Sequence, residues 1–216
     1  MKRRTLDIAF SCGGLALAGL LVVLGLVMTS NANFAKDYVK HQLDEQHIKF
    51  TPLNALSSEE KQSACVVKYA GEPLNTGKQA ECYANDYIGL HVKAVADGQT
   101  YADLGTPQRE LAAKVDAADA STRPALAAQL ATITEQRDTL FKGETLRGLL
   151  LTSYGFSVFG VKGAQVATVA YLVAALLAML SIAGLVHAFR TPKEKLLGAP
   201  AMDPEVTDDQ PSLVGV

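Results

Sequence analysis

Residues 8–28 read IAFSCGGLALAGLLVVLGLVM, twenty-one consecutive positions without a charge. Whether they cross a membrane decides how the rest of the chain is read. A helix needs about 20 apolar residues to span a bilayer core, and this run has them. A second run, VATVAYLVAALLAMLSIAGLVHAF at 166–189, has twenty-four residues and only mild polar members besides His187. Lys2, Arg3 and Arg4 precede the first run, and Arg190, Lys193 and Lys195 follow the second. The nearest basic residues on the inner flanks are Lys36 and Lys162. Because basic flanks stay in the cytoplasm, residues 1–7 and 190–216 are expected inside and 29–161 outside.

The expected fold is a mostly α membrane protein. Transmembrane helices at 8–28 and 166–189 carry a helical, single-disulfide extracytoplasmic domain. The Pro- and Asp-rich end, APAMDPEVTDDQPSLVGV, predicts a disordered cytoplasmic tail within 190–216. One rival to the first crossing is a cleaved signal peptide, for which Ser30 and Ala32 supply small residues. An uninterrupted run of this length exceeds the usual apolar core of such peptides, about 7–15 residues. Arg3-Arg4 matches a twin-arginine signal only in the pair itself. Cys12 has too little apolar sequence before it for a lipid-anchor site, and reads as a small lipid-buried side chain.

Hydrophobic residues make up 49% of the 216, the formal net charge is −2, and tryptophan is absent. With no basic stripe, nucleic-acid binding is excluded. Across residues 29–161, 13 Lys/Arg stand against 16 Asp/Glu, a solvated surface with no charged funnel.

Outside the membrane, Cys65 and Cys82 flank the stretch VVKYAGEPLNTGKQAE. Two thiols in an oxidising compartment usually pair. Gly71-Glu72-Pro73 and Asn75-Thr76-Gly77 between them suit a closed loop. A redox pair would more often show C-x-x-C spacing, and a zinc site would need two further ligands.

Periodicity gives the remaining elements. Phe34, Tyr38 and His41 extend the first helix to about Gln46. HIKFT is a short extended piece ended by Pro52. Ser57 and Glu60 form a capping-box pattern, and VVKY suggests a strand. Tyr83, Tyr87, Leu90 and Ala94 mark a helix stopped by Asp97-Gly98. Thr106-Pro107 starts another helix with a Leu111, Val115, Ala118 stripe. After Ser121–Pro124 the stripe Leu126, Leu130, Ile133, Leu140, Phe141 completes an antiparallel hairpin. Residues 148–160, GLLLTSYGFSVFG, are apolar but too short to span. They read as an amphiphilic segment at the outer interface, with Leu150, Tyr154, Phe156 and Phe159 as candidate partner contacts. Gly14 with Ala18, and Ala170 with Ala174 and Ala178, are small-residue faces on which the two helices of one chain can meet.

No nucleophile elbow, phosphate loop, dinucleotide fingerprint or zinc-protease motif is present. His41 and His47 bracket Asp44 and Glu45, which raises a metal reading together with His91. An i, i+6 spacing sets two rings about 240° apart on a helix, so they do not share a face. His187 lies near the cytoplasmic end of its run, where it can reach water.

The stretches FAKDYVKHQL, KYAGEPLNTGKQAECYANDYIGLH, GETLRGLLLTSYGFSVFG and VHAFRTP together resemble a group of actinobacterial two-pass membrane proteins often labelled aromatic ring-opening dioxygenases. That label implies a non-haem iron held by two histidines and a glutamate in a soluble cytosolic enzyme. This sequence departs from the pattern, since its candidate ligands lie outside the membrane at unsuitable spacing.

The functional expectation is therefore a non-catalytic integral membrane protein without a cofactor. Its partners are the lipid bilayer and an envelope protein, and its role is accessory or scaffolding in a cell-envelope complex such as a respiratory one. An extracytoplasmic ligand- or lipid-binding sensor is the alternative. The ring-opening dioxygenase of the label is a second.

Overall fold

The computed structural model describes residues 3–192. The stretch 193–216, most of the expected disordered tail, lies outside the described residues. Among those described, the chain is helical with no strand: α1 (Arg3–Asp44), α2 (Ala64–Tyr69), α3 (Gly77–Cys82), α4 (Gly89–Val95), α5 (Gly105–Ala117) and α6 (Arg123–Arg190). Short 3-10 turns at Leu53–Ala55 and Glu60–Gln62 precede α2, and a π-helical stretch, Tyr83–Ile88, joins α3 to α4. Both α1 and α6 contain stretches long and apolar enough to cross a membrane. The described residues fold as two compact units, 3–25 with 168–192, and 26–167.

In the first unit, small residues let the two helices approach closely. A Cβ on Gly14 would lie 2.2 Å from the Ser181 hydroxyl, and one on Gly184 would lie 2.4 Å from that of Ser11. Gly25 faces the Tyr171 ring in the same way, at 2.5 Å. Ala18, Ala170 and Ala174 are buried, so the small-residue faces expected from the sequence do pair within one chain. Around them the large apolar side chains point outward: Phe10, Leu20, Leu172 and Met179 are all more than half exposed. Only 17% of each apolar window is buried, whereas the core helix of a soluble domain would bury most of its own.

The second unit has a core of its own. Val39 and Leu43 of α1, Phe50, Val66, Leu74, Ile88 and Val92, and Leu140 and Leu150 of α6 pack together. The extended HIKFT piece is present: the Phe50 N–H donates to the Glu72 carbonyl and the Leu74 N–H to that of Ile48, both at 2.9 Å. A single bridge links Lys49 with Pro73, and Gly71 supplies the positive φ (78°) that the return turn needs. The capping box at Ser57 forms as expected, with both reciprocal bonds to Glu60 at 2.7 and 3.1 Å.

Three expectations are corrected here. VVKY is helical, because Ser63 caps the segment by accepting from the Val66 N–H; that local cap outweighs the strand preference of two valines. The stripe on the tyrosine helix shifts. Ala84, Ile88, Val92 and Ala96 are the buried set, while Leu90 is half-buried and Ala94 exposed. The π-helical stretch has a wider turn, so positions beyond it no longer follow the 3.6-residue count. Phe141 lies on the surface, against the Tyr101 ring at 5.8 Å. The helix stop at Asp97-Gly98 is real: both have positive φ, and the Gly98 N–H bonds the Lys93 carbonyl at 2.8 Å, a Schellman closure. The expected hairpin forms from α5 and the start of α6, joined by Gln108 donating to Thr134 at 2.8 Å.

Candidate functional site

Cys65 and Cys82 form a disulfide with Cα atoms 6.0 Å apart. It ties α2 to the end of α3. Asp86 sits beside it, accepting from the Ser63 hydroxyl at 2.9 Å and lying 2.8 Å from the Cys65 sulfur. That sulfur carries no proton, so its approach to the carboxylate is a contact and not a hydrogen bond. Among the described residues, these two cysteines with Asp86 are the one group of three ligand-type side chains close enough to share an ion. The disulfide removes both sulfurs as ligands.

The histidines do not converge. His41 is exposed and pairs at 3.5 Å with Glu45. His47 sits past the end of α1 with φ 52°. His91 bonds Glu60 at 2.9 Å. One histidine on one glutamate, with the other two histidines elsewhere, does not fit the two-histidine, one-glutamate iron site that the resemblance implies. The Glu60 side chain is 6% exposed. The Ser57 N–H, followed by His91, holds its pKa below the usual carboxylate value despite burial. Above the pair runs an aromatic ladder: Phe50 against Tyr83 (5.1 Å), Tyr83 on Tyr87 (4.6 Å) and Tyr87 against His91 (4.9 Å). Burial raises the Tyr83 pKa, which keeps the phenol neutral and the ladder uncharged. These contacts build one side of the core, with the His91 ring at its exposed edge.

Residues 148–160 form no separate element, since they lie inside α6. The four candidate contacts divide. Leu150 is 3% exposed and belongs to the core, which corrects its reading as a partner contact. Tyr154 is half-buried under Lys78, whose ammonium lies 4.9 Å from the ring centroid. Phe156 is 38% and Phe159 77% exposed. Phe156 meets Phe34 and Tyr38 of α1 edge-on, at 6.4 and 5.9 Å. With exposed Leu149, they make an apolar face on one flank of the α1–α6 seam.

The opposite flank holds a cleft of about 350 Å³. Ala32, Val39 and Gly160 are its buried floor, with Val161 and Ala164 exposed beside them, and Lys36, Lys40 and Lys78 also line it, with Asn33, Asn75 and Thr76. Two glycines let its walls pack closely. A Cβ on Gly160 would lie 2.9 Å from that of Ala35, and one on Gly77 would overlap Ser157 at 1.9 Å. Thr76 is held by a capping box with Gln79, which fixes the first turn of α3, where Lys78 sits. Lys40 pairs with Asp44 at 2.6 Å and Lys78 with Glu81 at 2.9 Å, in exposed pairs. The Asp44 pKa is lowered chiefly by its bond from Lys40. The Lys78 pKa is raised chiefly by Glu81. Among the described residues, no carboxylate lines the cleft. Sequence reading missed these residues. The T-x-x-Q pattern at Thr76–Gln79 signals the helix start, but nothing local signals that three lysines from two segments line one cleft.

No family model, curated protein or solved structure matches the chain.

Proposed function

We propose that this is a non-catalytic protein of the cell membrane, with both ends cytoplasmic and residues 29–161 outside. Its role is an accessory or scaffolding component of a cell-envelope complex, a respiratory complex being one concrete version. The observation that carries the reading is the exposed face of Phe34, Tyr38, Leu149, Phe156 and Phe159. It lies outside both apolar runs in sequence, and its α6 members belong to the same helix as the second run. Clustered, solvent-facing aromatic and aliphatic side chains mark interaction surfaces. Continuity with a spanning segment favours the helices of another integral membrane protein as the occupant. The basic flanks and the disulfide, a bond that persists in oxidising compartments, support the orientation.

The test is a photo-crosslinking residue in place of Phe159, followed by gentle-detergent purification and mass spectrometry of the adduct. A stoichiometric adduct with one integral membrane protein is expected. Recovery of that protein should fall with Phe156→Ser, and the melting temperature should stay unchanged. A chain that crosslinks only to lipid, and purifies alone, sinks the docking reading.

A further inference from the structure

We infer that the cleft between the outer part of α1 and residues 157–164 of α6 binds one anionic phospholipid, its phosphate on Lys36, Lys40 and Lys78 and one acyl chain along Val161 and Ala164. The cleft combines two chemistries in its lining. Among the described residues it is lined by three lysines and no carboxylate, together with alanine, valine and glycine. A free anion would use the first and leave the second bare; a neutral apolar ligand would do the reverse. An anionic amphiphile satisfies both.

Placement agrees. Ala32 lies four residues beyond the first apolar run and Ala164 two before the second, so the floor opens where the runs begin. Headgroup phosphates belong at that level, and lysines there reach them by extending along the apolar surface. Among the described residues Lys36 has no ion-pair partner. The pairs of Lys40 and Lys78 are exposed, and such pairs contribute little, so a phosphate can draw both ammonium groups inward. Gly160 and Gly77 let the walls of the cleft pack closely, Gly160 on Ala35 and Gly77 on Ser157.

This inference shares with the proposed function only the membrane placement. The docking face uses Phe156 and Phe159 on the other flank, so lipid retention and partner capture fail independently.

The experiment uses the full chain, stripped of lipid by detergent exchange. It is offered equal amounts of phosphatidylglycerol and phosphatidylcholine with identical acyl chains, and native mass spectrometry counts what is retained. One phosphatidylglycerol per chain, in preference to phosphatidylcholine, is expected. Lys36→Gln with Lys78→Gln should lower that retention by about tenfold, and Lys36→Arg with Lys78→Arg should restore it. Val161→Trp, at a 59% exposed position, should fill the acyl track and displace the lipid at an unchanged melting temperature. Equal retention of the two lipids, or a glutamine variant that behaves as wild type, overturns the inference. So does inorganic phosphate binding that survives Val161→Trp while no lipid is retained, since that describes a site for a free anion.

Discussion

Cys65 and Cys82 are 17 positions apart, and closing a loop of that size stabilises a fold by about 3 kcal/mol in the chain-entropy model. Cys65→Ser with Cys82→Ser should lower the unfolding free energy of the unit 26–167 by about that amount. Reductant should do the same to the wild type and nothing further to the variant; denaturant unfolding with and without reductant checks both. Glu60 makes a second prediction. Its folded pKa lies below the ordinary value of 4.5. Its contribution is therefore fully present above that value and is lost as pH falls through the lower folded one. Glu60→Gln, which can still accept from Ser57, should flatten the acid limb of melting temperature against pH. An unchanged limb would assign acid unfolding to other carboxylates.

Several helix ends in this chain are set by neighbouring residues. Ser63 and Thr76 cap the starts of α2 and α3, and Asp97-Gly98 closes α4. The π-helical turn at Tyr83–Ile88 is different. It directs the Ala84 carbonyl to both the Gly89 N–H and the Arg147 guanidinium, the latter at 3.0 Å, and Arg147 is 63 residues away in sequence. Glycines within α6 divide by what faces them. A Cβ on Gly155 would meet nothing within 4 Å, while one on Gly160 would be 2.9 Å from Ala35. Gly155→Ala should therefore stabilise by about 0.5–1 kcal/mol through helix propensity. Gly160→Ala should destabilise, because α1 has to shift to admit the methyl. Thermal unfolding of the two single variants decides it, and equal melting temperatures would contradict the close approach.

The molecule's placement rests on two apolar runs and their basic flanks. Single cysteines at Ser58 and Pro192, in a Cys12→Ser background, should report it. A membrane-impermeant maleimide on intact cells should label Ser58→Cys and leave Pro192→Cys unlabelled until the cells are opened. The reverse pattern would invert the topology and put the disulfide in the reducing compartment. Labelling of both in intact cells would mean that one run does not cross.

Residues 8–28 and 166–189 stand out by composition alone, because apolarity sustained over the length needed to cross a membrane is a local property, whatever the segment packs against. The cysteine pairing, the Ser57–Glu60 capping box and the Asp97-Gly98 stop were legible for a related reason: each depends on neighbours in sequence or on the compartment. Which face of α6 is covered was not. Leu150 and Phe159 look alike in a hydrophobic stretch, yet one is core and the other is surface, depending on where the disulfide-linked lobe comes to rest. The π-turn and its shifted stripe depended on Arg147, and the cleft on lysines brought together from two distant segments. Such features arise from long-range packing, the sum of many small contacts that no local window contains, so only the tertiary structure decides them.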